Sequence, residues 1–265
     1  MVIIILLFFS SVPLKSVDNL FPESVSSLGA GMQGAAGSAV VNPAFAAWLP
    51  RKEITLAYFN RYFTRETGSV SASFFYPHPA VSGGVSVGVF GSSVYRDSRF
   101  TVQAGKKLGT SWSIGLSLAY RTVHLNGFSG SPSYFSAGFG AVYRPSERLG
   151  FGLVCLNAPA VKTGAFAFRG ISRYAFLAGC SWRFLPQLAL ETEAESSFAT
   201  PFRGALGLCF VPASGWSVRT GIRTEPLEPF CGAGYTFRRF TLDVAAAYHS
   251  LLGASAGVAL SYRFL

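Results

Sequence analysis

From Glu53 to the end of the chain, apolar and polar residues alternate in short runs, each closed by Gly, Pro, Ser or Asn. Successive side chains of a strand point to opposite faces, so alternation with period two between turn residues predicts strands joined by hairpins. The runs fall at 53–63, 68–76, 82–91, 98–107, 111–123, 133–144, 148–156, 171–184, 187–196, 202–211, 215–223, 229–237, 239–249 and 253–264. They make about fourteen antiparallel strands, an even number of the kind found in single-chain bacterial barrels.

The apolar face of these runs is more telling than their number. In the run 171–184, Tyr174, Phe176, Ala178, Cys180, Trp182 and Phe184 share one face, while Arg173, Gly179, Ser181 and Arg183 share the other. The run 111–123 sets Trp112, Ile114, Leu116, Leu118 and Tyr120 against Ser113, Gly115, Ser117 and Arg121. A soluble barrel or sandwich turns its apolar face inward and covers the other with charge. Here the polar face is mostly Gly, Ser, Thr and isolated Arg, too poor in charge for a solvated outer surface. The pattern fits a transmembrane barrel with its apolar face on lipid, and aromatics near both ends of those faces match interfacial girdles. Connections after even-numbered strands are short, whereas 124–132 and 157–170 are long, the asymmetry of periplasmic turns and external loops.

Composition sharpens this reading. Charged residues make up 13% of the 265, beside 29 glycines and 15% aromatics, whereas soluble domains carry about a quarter charged residues. Met1 to Phe9 is almost wholly apolar and is followed by small residues, so residues 1–16 read as a secretory signal cleaved near Ser11 or Ser16. No later stretch is long and apolar enough for a membrane helix, which leaves a closed barrel as the structure able to satisfy its backbone in lipid. The domain plan is therefore signal 1–16, an N-terminal plug or hatch segment 17–52, and barrel 53–265.

The formal charge of +10 could suggest nucleic acid as partner, but the basic residues stand singly and form no aromatic-interleaved groove, so none is expected. Cys155, Cys180, Cys209 and Cys231 lie far apart without metal-ligand spacing, and Cys155, Cys180 and Cys231, in step with apolar neighbours, read as small hydrophobes. The three histidines share no ligand spacing, and no nucleophile elbow or phosphate loop occurs. The expectation is no enzyme, no metal and no cofactor. Glu191, Glu193 and Glu195 alternate on one strand face, facing Arg173 and Arg183 of the preceding strand and Arg203 of the next. These lumen charges can form a cross-strand ladder that packs a narrow lumen, or a polar constriction that selects permeant ions. Strand glycines on the internal face mark either bends in the wall or space for the N-terminal segment.

That segment carries Leu28-Gly29-Ala30-Gly31, then Val41-Asn42-Pro43-Ala44-Phe45 and Trp48, directly before the first strand. A Leu-Gly-x-Gly stretch followed by Asn-Pro-Ala resembles the start of the long-chain fatty-acid transporter (FadL-like) superfamily, and closer still its PorV/PorQ-like branch from Bacteroidota. The run 139–157, with Tyr143-Arg144-Pro145-Ser146-Glu147-Arg148-Leu149, is similar to members of that branch. The resemblance implies a bacterial outer-membrane protein delivered by the barrel assembly machinery, with Asn42, Pro43, Ala44 and Trp48 as the plug motif inside the barrel. It also implies one of two roles: a passive channel for small hydrophobic molecules, or a non-conducting component that binds type IX secretion proteins. The apolar residues from Leu28 to Leu49 suit no free tail, so the segment is expected in the periplasmic half of the lumen, with Trp48 close to the first strand.

Overall fold

A computed structural model describes residues 24–127, 130–163, 174–197 and 200–265. The expected signal and Arg173 lie outside the described residues.

The wall consists of β1 (Glu53–Asn60), β2 (Gly68–Tyr76), β3 (Ser82–Gly91), β4 (Tyr95–Leu108), β5 (Trp112–Leu125), β6 (Ser133–Ser146), β7 (Leu149–Leu156), β8 (Ala160–Lys162), β9 (Ala175–Leu185), β10 (Leu188–Ser197), β11 (Thr200–Phe210), β12 (Trp216–Arg223), β13 (Glu228–Phe237), β14 (Phe240–His249) and β15 (Gly253–Arg263). Apart from β8, which pairs with β6 alone, every strand pairs antiparallel on both sides, β7 with β6 and β9, and β1 closes on β15 with Leu56 opposite Leu260. That closure joins the strands into one ring, the arrangement a wall in lipid requires.

β7 and β8 are one wall strand interrupted by a bulge. β6 pairs Phe139 with Cys155 and Ser136 with Ala160, so four residues of the bulged strand face two of β6. The ladder resumes through Ala158 N–H to Ala137 O at 2.8 Å and Ala137 N–H to Pro159 O at 2.9 Å. Asn157 takes the left-handed conformation, φ 56°, that lets the strand step sideways. Counting β7 and β8 together, the barrel has fourteen wall strands.

Four boundaries differ from expectation by three residues or more, one of them the start of the eighth strand, where β9 begins at Ala175 rather than 171. The first strand ends at Asn60 rather than 63 because Tyr62 and Phe63 have φ of 58° and 48°, outside any strand. The fourth starts at Tyr95, three residues early. The seventh runs on as β8 instead of giving way at 157 to a loop. The asymmetry of connections is correspondingly milder. One end carries turns 77–81, 109–111, 147–148, 186–187, 211–215 and 238–239. The other carries the three longest links, 61–67, 126–132 and 163–174, together with short ones such as 92–94. These are the short-turn and long-loop ends below.

The outer face is apolar. Trp112, Ile114, Leu116, Tyr174, Phe176 and Trp182 all point outward, between 39% and 54% exposed. Ser113 and Ser117, on the opposite parity, are buried inside. Aromatic pairs girdle the short-turn end, with ring centroids 4.3 Å apart in Trp112–Tyr143 and 4.5 Å in Trp216–Tyr235. Tyr120–Phe135, at 4.9 Å, stands toward the long-loop end. A belt of this size would be a sticky patch in water and is at home between two lipid interfaces. All four cysteines are free: Cys155, Cys180 and Cys231 follow the outward parity, Cys209 the inward one.

Candidate functional site

The barrel interior is occupied by residues 24–49, and the inward wall is shaped to receive them. A short helix α1 (Val25–Leu28) begins at Ser24, whose Oγ accepts the Ser27 amide at 3.4 Å. Val25 and Leu28 pack against Phe59, Phe230 and Ala259, inward residues of the long-loop half. The chain then crosses the lumen in tight turns. Ala35 and Val41 pack against Val154, Leu156 and Leu177, and Ala39 and Ala46 against Phe75. A 3₁₀ helix, Pro43–Trp48, brings it to the short-turn mouth. The segment therefore spans both halves of the lumen and is not confined to the half expected from sequence.

Such close contact depends on missing side chains. A methyl group at Gly221 or Gly207 would overlap the Ala30 carbonyl, one at Gly152 the Ala35 carbonyl, and one at Gly140 the Asn42 side chain. At Gly232 a Cβ would lie 2.7 Å from the Cα of Gly29. These inward glycines make room for main chain, whereas others such as Gly88 and Gly234 touch only wall residues.

Polar contacts fix the register of the segment. Asn42, fully buried, caps the 3₁₀ helix: its Oδ1 accepts the Ala44 amide at 3.0 Å, while Nδ2 donates to Ala35 O at 2.6 Å and Ala141 O at 3.3 Å. Pro43, at the first helical position, needs no donor partner. Trp48 Nε1 donates to Ser113 Oγ at 2.8 Å, and Ser113 donates to Ala44 O at 3.0 Å. Trp48 thus sits at the start of β5, with Lys107 Nζ and the Arg144 guanidinium 4.3 Å and 5.1 Å from its ring. It was expected beside β1; residues 49–52 instead lead the chain from the helix end across to β1.

Of the glutamates, Glu193 has the most specific role. Its two carboxylate oxygens accept the amides of Gln33 at 2.7 Å, Gly34 at 3.0 Å and Ala35 at 2.8 Å. Three successive N–H groups converge on one buried carboxylate, the nest geometry in which backbone binds an anion. Arg223 completes the grip, donating from Nε and Nη2 to Gly31 O at 3.1 and 2.8 Å. The expected charge ladder is formed only in part. Glu195 lies opposite Arg203 with nitrogen and oxygen 3.9 Å apart. Glu191 faces Ser181 and Gly207, while Arg183 faces Ala189 beside a register shift at the short-turn end, so these two do not sit opposite each other. Sequence reasoning did not single out Asp97–Arg121, Arg219–Asp243 at 2.7 Å, or Arg223. Their inward parity was the available signal, but which strand they reach depends on register.

Between Val40, Val41 and the wall at Gln103, Ser117, Gly138 and Leu156 lies a cavity of about 20 Å³, room for about one water molecule. Gln103 also donates to the Ala39 carbonyl. No group of His, Cys, Asp and Glu with metal-binding geometry occurs among the described residues.

A closed antiparallel barrel with an apolar outer belt and an occupied lumen defines the class: this is the fold of bacterial outer-membrane channels and porins. Within that class its barrel matches FadL-like barrels in fold. It superimposes on a mutant of TodX, a monoaromatic hydrocarbon channel, with TM-score 0.68 and 9% identity, covering 93% of this chain and 100% of that one. The Pseudomonas putida toluene transporter TodX matches with TM-score 0.60 and 10% identity over 85% of this chain and 94% of its own. A Pseudomonas aeruginosa FadL homologue gives TM-score 0.61 and 12% identity over 92% and 98%. At such identities the likeness concerns fold alone. No protein-family model and no curated protein matches the sequence, and nothing in these comparisons supports the PorV/PorQ resemblance or an origin in Bacteroidota.

Proposed function

We propose that the protein is a passive channel of the bacterial outer membrane for small hydrophobic molecules, closed at rest by residues 24–49 acting as a displaceable plug. The observation that carries this reading is the docking of that segment. Its main chain lies so close to the wall at Gly152, Gly207 and Gly221 that a methyl group there would overlap it, and the cavity beside Val40 and Val41 has a volume of about 20 Å³. Yet it is held by a handful of hydrogen bonds from Glu193, Arg223, Asn42 and Trp48 rather than by a continuous ladder. A sheet wall of this kind is rigid and closed, so passage requires the segment to move. The apolar contacts it makes, through Leu28, Val41 and Ala46, are of the type a hydrophobic solute could replace. The FadL-like barrel supports the same reading, since the proteins sharing it include a hydrocarbon channel and a toluene transporter.

The test compares the full chain with a variant lacking residues 24–48, both reconstituted in liposomes. The deletion should leave a heat-modifiable barrel that passes small solutes and takes up toluene faster than the full chain. Unchanged permeability and unchanged toluene uptake in a correctly folded deletion would remove the plug, and with it the channel reading.

A further inference from the structure

The short-turn rim carries charge that the lumen does not use. Arg51 and Lys52 precede β1, and Arg238 and Arg239 form the β13–β14 turn; all four are exposed, and none forms an ion pair among the described residues. The two groups are neighbours in space. The last strand lies between them, its Arg263 amide donating to Arg239 O and its Phe264 amide to Lys52 O, each at 2.9 Å. Glu53, at the start of β1, is taken by Arg263 Nε at 2.8 Å. Four exposed cations thus lie side by side along one arc of the rim.

Their depth is set by aromatic rings. Lys52 Nζ lies 4.6 Å from the centre of the Tyr76 ring, the Arg238 guanidinium lies 5.3 Å from that of Phe237, and Arg239 Nη1 reaches Tyr262 Oη at 3.5 Å. Tyr76, Phe237 and Tyr262 all point to the outer face, where aromatic side chains mark the level of lipid headgroups. Cations held at that level meet phosphate before they meet bulk water, and clustered Lys and Arg beside a membrane attract anionic lipid. At the opposite end, exposed Arg65 stands beside Glu66, and Glu225 is exposed on the β12–β13 link, so that stretch of the long-loop rim, among the described residues, mixes both signs.

We propose that Arg51, Lys52, Arg238 and Arg239 form a docking surface for the phosphate headgroups of anionic glycerophospholipids in the leaflet at the short-turn end. The arc selects phosphatidylglycerol-type lipid over zwitterionic lipid and anchors the barrel at the seam where β15 closes on β1. This rests on the wall being embedded in a bilayer but not on any transport activity. Failure to insert into liposomes would overturn the membrane reading, whereas insertion without lipid preference overturns only the docking surface.

The experiment is native mass spectrometry of the full chain in micelles titrated with dioleoyl phosphatidylglycerol, dioleoyl phosphatidylcholine or lipid A. The wild type should retain phosphatidylglycerol preferentially. The double variant Lys52→Gln with Arg239→Gln should lose about fivefold in apparent affinity for each cation removed. The charge-preserving pair Lys52→Arg with Arg239→Lys should keep the preference, as should Arg65→Gln at the far rim; heat modifiability confirms that each variant is folded. Equal retention of the two glycerophospholipids by the wild type, or an equal loss in Arg65→Gln, would overturn the proposal. So would stronger retention of lipid A than of phosphatidylglycerol, lost in the same double variant.

Discussion

The Glu193 carboxylate accepts the backbone amide of Ala35 at 2.8 Å inside the lumen, and the amides of Gln33 and Gly34 close around the same group. An inward side chain of the wall thus holds main chain of the inner segment, a link between β10 and a stretch with no regular structure of its own.

Replacing Glu193 should loosen the segment while leaving the barrel intact. A hydrogen bond to a charged group contributes about 1.5–3 kcal/mol, and Glu193→Ala removes three while stranding their amides. Glu193→Gln keeps the shape but turns an NH₂ toward N–H donors, so it should fall between Ala and wild type. Single-channel recordings in planar bilayers should show more frequent openings in the order Ala, Gln, wild type. Equal opening rates in all three would mean that Glu193 does not hold the segment closed.

The inward glycines predict a second class of variant. Gly152→Ala and Gly221→Ala place a methyl group against main-chain carbonyls of the segment, which cannot yield as a flexible side chain would. Overpacking of this kind costs about 1–3 kcal/mol. At Gly88, also inward, a Cβ would meet only Ser71 and a Val70 carbonyl at 4.0 Å. Limited proteolysis should therefore cut within residues 24–49 faster in the first two variants and at the wild-type rate in Gly88→Ala.

The face assignment can be tested by arginine placement. Leu116→Arg and Phe176→Arg put charge on the lipid side, at a cost of about 2–4 kcal/mol near the bilayer midplane. Ser181→Arg adds an inward cation opposite Glu191 and should assemble nearly normally. Ser117 is a poorer control than its parity suggests, because it is buried beside the small cavity under Val40 and Val41. Comparable outer-membrane yields for all three arginine variants would contradict the assignment.

Much of this wall was legible from alternation alone, because a two-sided sheet forces period two on every strand and lipid makes the apolar side unmistakable. The break after Leu156 was not. Asn-Ala-Pro reads equally as the end of a strand or as a bulge within one, and only pairing with Ala137 distinguishes them. The same limit hid the role of Glu193. Its inward direction follows from Leu190 and Ala194 on the other face, but its partners are backbone amides, which leave no residue signature. The glycines were ambiguous in the same way: an inward glycine marks either a bend or an approach, and the Ala30 and Ala35 carbonyls decide for approach at Gly221 and Gly152.

Asn42 gives the sharpest test of how the inner segment is held, because one side chain both caps and donates. Asn42→Ala removes the cap, worth about 1 kcal/mol, together with two donated bonds. Asn42→Asp keeps the acceptor for the Ala44 amide, so a cap alone would leave it close to wild type. The buried carboxylate would however face the Ala35 and Ala141 carbonyls, to which Asn42 Nδ2 now donates, and would have no proton to offer them. An unpaired charge in such a place is costlier than a truncated side chain. Asn42→Asp should therefore raise conductance more than Asn42→Ala at neutral pH. Protonation restores one donor and removes the charge, so burial favours the neutral acid and the defect should shrink as pH falls. The alanine variant, with nothing to titrate at this position, should show no such recovery. Conductance of the two variants measured from neutral to acidic pH checks this. Parallel pH profiles would show that Asn42 acts as a cap only and that its contacts with Ala35 and Ala141 do not hold the segment.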